Sequence, residues 1–269
     1  MKKRWWCLLS YVISINSLAN VADDSLMILA EEWAPISYQH EGVPTGYAVE
    51  LVSKLQQQLA KSKVELASSV SFLPWARANQ IGLSRKNVLL IAMSKSADRQ
   101  SQFSFVGPIA QGSMGIFVNR ADDINISQLS DLTNQGNIGV YRDGGCEQEL
   151  SKNYQQQLSI ASYPQQTAKQ LLLSRVRFWC QADFGVPHTL KQIGKQKSDV
   201  RMAYKIKPLA LYFAFSQGTE AEVIEQWHLA LAEYMQTPEY TALYQKWFES
   251  DSHPNEPKLF AVNQQEPAS

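Results

Sequence analysis

Twice along this 269-residue chain, short apolar runs alternate with stretches of helical period, and the second series starts over after the first has ended. Leu26 to Ala30, Val64 to Phe72 and Val88 to Met93 read as strands. Between them lie two helices, Tyr47 to Ala60 with Val49, Val52, Leu55 and Leu59 at helical spacing, and Pro74 to about Leu83. Val88 to Met93 is apolar throughout, as expected of a strand covered on both faces. The second series has strands at Ile116 to Val118, Ile138 to Tyr141, Leu158 to Ser162 and Val176 to Cys180. Its helices are Ile126 to Leu132, Glu147 to Gln157, Thr167 to Leu173 and one around Leu190. A strand at Leu209 to Phe215 and helices at Glu220 to Tyr234 and Pro238 to Phe248 complete the pattern. This alternation predicts an α/β fold of two units, each a doubly wound, mostly parallel sheet with its ligand groups at the carboxyl ends of the strands. The polar tail from Asp251 to Ser269, with Pro254 and Pro257, is expected to be mobile.

The N-terminus reads as a leader. Met1-Lys2-Lys3-Arg4 is a basic segment, Trp5 to Ile15 a short apolar run, and Ser17-Leu18-Ala19 supplies small residues for cleavage. The run falls short of the ~20 residues a membrane-spanning helix needs. Residues 1–19 are therefore expected to be a signal peptide and the protein periplasmic. With 25 basic and 25 acidic residues, loss of Lys2, Lys3 and Arg4 leaves 22 against 25. No basic excess offers itself to nucleic acid. Hydrophobic residues at 45% and charged residues at 19% suit a packed core rather than a disordered chain.

Cys7 leaves with the leader, so an oxidising compartment holds Cys146 and Cys180. Strand order 2-1-3 sets Ile138–Tyr141 beside Val176–Cys180. Cys180 ends one strand and Cys146 lies just past the other, which predicts a disulfide; the alternative is two free thiols. The four histidines, His40, His188, His228 and His253, show no metal-ligand spacing. No nucleophile elbow or P-loop is present, and neither metal nor cofactor is expected.

Four segments together resemble the extracellular solute-binding proteins of family 3. Glu32-Trp33-Ala34-Pro35 with Gly46-Tyr47-Ala48-Val49-Glu50-Leu51 is similar to the family's aromatic-Ala-Pro loop and the helix start after it. Ala92-Met93-Ser94-Lys95-Ser96-Ala97-Asp98-Arg99, with Phe103 to Pro108 beyond, resembles its small-x-Ser-x-Thr-x-x-Arg motif and Phe-Ser-x-Pro segment. Gly139 to Gly144, and Tyr212 to Phe215 with Tyr240 to Trp247, are similar to its second-lobe loop and its last strand and closing helix. The resemblance implies a two-lobed fold in which the chain crosses the hinge twice. Lobe one is expected over residues 24–112 plus 212–250 and lobe two over 113–211.

It also implies site residues. Arg99 matches the arginine that clamps a ligand carboxylate, which a planar guanidinium does bidentately. Ser94 supports the same carboxylate. The family often has a second Ser where this chain has Ala92, and that loss argues against an ordinary α-amino-acid ligand. Trp33, beside Glu32, matches an aromatic that covers the ligand, or else plugs the core. Trp75, in Pro74-Trp75-Ala76-Arg77, is expected at the cleft rim. Between strand and helix in lobe two, Arg142 and Gly144 offer backbone N–H groups to an anion, with glycines where the family has threonines. Asp183 or, in another register, Ala182 stands where the family holds the ligand ammonium.

The function implied is capture of a small polar ligand, amino-acid-like, by a monomer that delivers it to an inner-membrane transporter permease. Two other readings stay open: a ligand sensor docking on a receptor, and a dehydratase-type enzyme with Glu31, Glu32 or Asp183 as general acid.

Overall fold

Val49, Val52, Leu55 and Leu59 are all buried, so the helical spacing read from the sequence marks the packed face of a helix. The computed structural model describes residues 25–61, 69–142 and 144–262. The leader, most of the expected strand at Val64 to Phe72, Asp143 and the last seven residues lie outside the described residues.

The first half runs β1 (Met27–Ala30), the hairpin β2 (Tyr38–His40) and β3 (Val43–Thr45), α1 (Tyr47–Lys61), β4 (Ser71–Phe72), α2 (Trp75–Ser84), β5 (Val88–Ser94) and α3 (Ala97–Gln100). A 17-residue strand, β6 (Phe103–Asn119), leads into the second half. There follow β7 (Ile138–Tyr141), α4 (Gly145–Tyr154), β8 (Leu158–Ala161), α5 (Pro164–Leu172), β9 (Phe178–Ala182) and α6 (Val186–Lys191). The return is β10 (Val200–Ser216), then α7 (Ala221–Met235), α8 (Pro238–Phe248) and β11 (Lys258–Phe260). The expected helix over 126–132 is a single 3-10 turn, Leu129–Leu132. The short strands read at Ile116 and Leu209 are parts of β6 and β10, each much longer than an apolar run reveals.

Strand order is β4-β1-β5-β10-β6-β9-β7-β8, with β11 on the outer edge of β6. The triplets β4-β1-β5 and β8-β7-β9 are parallel and each has the order 2-1-3. Between them β6 and β10 pair antiparallel from Phe103↔Ser216 to Asn119↔Val200. This is the two-lobed, mostly parallel α/β fold, with two crossings. Each triplet is covered on both faces. In the first, Ile28, Leu89 and Phe213 pack with α1, α7 and α8, while Leu90 and Phe103 pack with Ala78 of α2. In the second, Ile138 and Cys180 pack with Leu150 of α4, and Trp179 with Leu171 and Leu190 of α5 and α6.

The tail corrects an expectation. Leu259 and Phe260 supply the apolar content that Pro254 and Pro257 obscured. β11 pairs Lys258 with Gly107 and Phe260 with Phe105, which covers an edge of β6 that would otherwise be open. Val262 N–H donates to Ser104 Oγ at 3.0 Å and Gln236 Nε2 to Asn255 O at 2.7 Å. The chain is thus fastened as far as residue 262.

Cys146 and Cys180 form a disulfide, with Cα atoms 5.8 Å apart and a separation of 34 in sequence. β9 lies beside β7, which brings Cys180 in the middle of β9 to the first turn of α4, where Cys146 lies. Closing that loop restricts the unfolded chain, an effect of roughly 3–4 kcal/mol. Replacing both cysteines by serine is expected to lower stability to chemical denaturation by about that amount. Thiol titration of denatured, unreduced protein checks the bond, and two reactive thiols per chain would contradict it.

Candidate functional site

The three parallel strands of lobe one end side by side, and each is followed at once by a polar or aromatic side chain. After β4 comes Trp75, after β1 comes Glu31, and β5 ends on Ser94 with Arg99 in the short helix beyond. Open α/β sheets place their ligand crevice at such ends. Ser96 caps α3, its side chain accepting from the Arg99 N–H. This turns the Arg99 side chain back over the strand end. Arg99 Nη1 donates to Ser94 O at 2.9 Å and to Ser94 Oγ at 2.6 Å. Both guanidinium bonds among the described residues use Nη1, so Nη2 and Nε remain for an incoming group. The guanidinium carbon stands 5.3 Å from the centre of the Trp75 ring.

Glu31 is the carboxyl that faces Arg99. Burial pushes it up to about 7, the Arg99 charge acting in the opposite direction. Burial also lowers Arg99, which Glu31 opposes. The backbone at Glu31 is fixed by Ser37 Oγ, which donates to Glu31 O at 2.9 Å. Trp33 and Ser37 close this turn, each N–H donating to the other's carbonyl.

In the second half, β7 ends on Tyr141. Tyr141 is half-buried, and its phenol is raised first by burial and then by the charge of Glu31 on the opposite lobe. Gly144 lies against it: a Cβ at this position would come within 2.6–2.9 Å of three ring atoms.

The expected site residues separate into three sets. Arg99, Ser94 and Trp75 come together as described. Asp183 opens the 3-10 turn after β9 and lies against Gly112 of β6, where a Cβ would be 2.2 Å from its Oδ1. That oxygen accepts from the Phe184 N–H at 2.8 Å, and the Asp183 charge acts on the Tyr244 phenol. Ala182, the alternative at this position, is a buried residue of β9. Trp33 is half-buried and packs on the lobe-one core with its ring 6.0 Å from Phe184.

Glu32 and Arg142 lie outside the cluster. Glu32 is exposed and its carboxylate accepts from Gln39 N at 3.2 Å and Gln39 Nε2 at 2.9 Å, which braces the β2–β3 hairpin. Its neighbour Glu31, one residue closer to the strand, is the carboxyl whose charge couples to Arg99. Arg142 is exposed, its N–H donating to Ala161 O at 2.8 Å. Tyr141 was not singled out from the sequence, although its place as the last residue of an apolar strand was the available signal. Ala92 is nearly buried in β5, with φ 66° beside the register shift opposite Phe213. The residue expected as a lost hydroxyl is thus a strained backbone position. Among the described residues no group of His, Cys, Asp or Glu is arranged to hold a metal ion.

A two-lobed α/β protein whose strand ends converge on a half-buried arginine and a carboxyl has the layout of a ligand-binding cleft. The chain belongs to the bacterial extracellular solute-binding proteins, family 3, whose model matches residues 26–250. No curated protein matches the sequence. Among solved structures the fold is similar to a histidine kinase sensor domain with similarity to periplasmic binding proteins. That match has TM-score 0.65 and 21% identity and covers 82% of this chain and 95% of the other. It is also similar to the arginine-, lysine-, histidine-binding protein ArtJ of Geobacillus stearothermophilus, with TM-score 0.65, 16% identity and coverage of 85% and 97%. A third likeness is to a structure from a study of glutathione import through GshT and the cystine importer TcyBC of Streptococcus mutans. Its TM-score is 0.66 at 17% identity, covering 86% and 98%. No helix among the described residues is long and apolar enough to cross a membrane.

The raised Glu31 carboxyl has a consequence for stability. With its folded value at about 7 and its ordinary value at 4.5, the native state holds the extra proton between those two pH values. Stability of the unliganded protein therefore falls as pH rises from about 4.5 through 7, by up to about 3 kcal/mol. Glu31→Gln is expected to remove this loss, so the variant melts above wild type at pH 8 and close to it at pH 4.5. Equal pH dependence of the two melting curves would show that Glu31 titrates normally.

Proposed function

We propose that this chain is an exported binding protein that closes its two lobes on a small amino-acid-like ligand and hands it to a membrane transporter. In this reading lobe one is 24–112 plus 212–250 and lobe two is 113–211, and residues 1–19 are removed on export. The observation that carries it is the Arg99 guanidinium, half-buried and oriented through one nitrogen by Ser94, with its other donors left for a carboxylate. Trp75 offers its ring beside that carboxylate, and Glu31 and Asp183 offer acceptors for an ammonium or guanidinium. The fold neighbour ArtJ is named for binding arginine, lysine and histidine, which suits a cleft with one cation and two carboxyls. Closure follows because the ligand contacts both lobes only when they approach.

The raised Glu31 favours a second reading, since a carboxyl near neutrality suits a general acid. Turnover of any compound that binds separates it from the first. The sensor-domain neighbour supports a third, in which the same cleft reports to a receptor instead of a permease.

A thermal-shift panel of L-arginine, L-lysine, L-histidine, glutathione, simple carboxylates and amines tests the binding reading. A ligand at about 100 times its Kd stabilises by about 2.7 kcal/mol. Arg99→Ala is expected to weaken the compound found by at least ~2–3 kcal/mol in calorimetry, because a charge-assisted pair is lost. Arg99→Lys also binds poorly, lacking the fork. Binding by the alanine variant equal to wild type would leave Arg99 a surface residue. For export, mass spectrometry of periplasmic material is expected to find a mature terminus between Asn20 and Asp23. An intact Met1 terminus there would contradict it.

A further inference from the structure

We infer that Tyr141 is the specificity-determining side chain that lobe two contributes to the cleft, its ring occupying the space a side chain at position 144 would need. The inference rests on the binding reading of this cleft and goes beyond it in naming the group.

Three observations carry it. Tyr141 is the last residue of β7, a strand that ends at the crevice, and its register partner Ala161 is the last residue of β8. The contact with Gly144 is made by the outer end of the ring. A Cβ at 144 would lie 2.6 Å from Cζ, the carbon that bears the hydroxyl, and 2.7 and 2.9 Å from the two Cε atoms. Real Cβ contacts are not that short, so any larger residue at 144 must displace the ring, and Gly144 is the condition for its placement. Third, Tyr141 is half-buried and lies outside the apolar cores of lobe two. The phenol therefore stands at the strand-end edge of the lobe, where open α/β sheets place their crevice.

Chemically, the exchange replaces short hydroxyls on the loop with one hydroxyl on a ring. The phenol both donates and accepts, and its ring narrows the cleft opposite Arg99 and Trp75. A ligand that fits presents its carboxylate to Arg99 and a second hydrogen-bonding group to the phenol, with a compact body between them.

The test is calorimetry of the mature, disulfide-bonded protein with L-arginine, L-lysine, L-histidine and glutathione, each in turn. Tyr141→Phe keeps the ring and removes the hydroxyl; it is expected to weaken binding about 10-fold. Tyr141→Ala is expected to weaken it further. Gly144→Ala displaces the ring, so it weakens binding in the wild-type background and has no added effect in the Tyr141→Ala background. That non-additivity is the mark of two residues acting as one. Wild-type affinity in Tyr141→Phe, or equal losses from Gly144→Ala in both backgrounds, overturns this inference and leaves the binding reading standing. If none of the four compounds binds wild type, the amino-acid-like reading falls and takes the inference with it. Tyr141→Phe decides the matter even if the alanine variants fold poorly.

Discussion

Three buried tyrosine hydroxyls fix the strand on which both lobes hang. Tyr47 of α1 donates to Ile109 O at 2.6 Å, and Tyr240 of α8 donates to the same carbonyl at 3.4 Å. Tyr244 donates to Gln111 O at 3.2 Å and accepts from the Gln111 N–H at 3.4 Å. These groups hold β6 to the helices of lobe one at the point where it leaves for lobe two. Burial raises all three phenols, so they stay neutral and available as donors. Each bond adds only about 0.5–1.5 kcal/mol net, but an orphaned buried carbonyl would cost more. Without this anchorage the long β6–β10 ladder would have no fixed end from which to bend.

The ladder itself supplies the flexibility. Its register shifts between Met202 and Tyr204, between Lys205 and Lys207, and between Leu211 and Phe213. Such irregularities twist and bend a strand pair locally. Lobe two has its own cores and a disulfide from the first turn of α4 to β9, which tie it into one unit. In the proposed function the strand ends of the two lobes close over Arg99, Glu31 and Tyr141. A half-buried cation and a carboxyl near neutrality are costly to leave unmet, and in that reading a bound ligand relieves both.

Much of this was legible in the sequence, for physical reasons that differ by residue. Strand order, the disulfide and the buried face of α1 follow from apolar period and from the rule for doubly wound sheets, which are local and topological. Arg99 and Ser94, given by the resemblance, lie close together because their motif spans a strand end, a cap and one turn of helix, and Trp75 reaches them from the start of α2. Sequence cannot say which of two adjacent carboxyls, Glu31 or Glu32, turns inward; in the structure Glu32 binds Gln39 of the hairpin. Tyr141 escaped notice because its role depends on the absence of a side chain at Gly144, three residues away. The reach of β6 and β10 was hidden by their polar middles, where Gln111, Lys205 and Lys207 interrupt the apolar pattern. The tail strand needed a partner edge that exists only once the sheet is built.

Closure about a hinge is a change of shape, so small-angle scattering reads it directly. With saturating ligand from the panel, the radius of gyration of the wild-type protein should fall, and at the same ligand concentration that of Arg99→Ala should not. An unchanged radius in wild type with ligand demonstrably bound would contradict a cleft that closes between the two lobes.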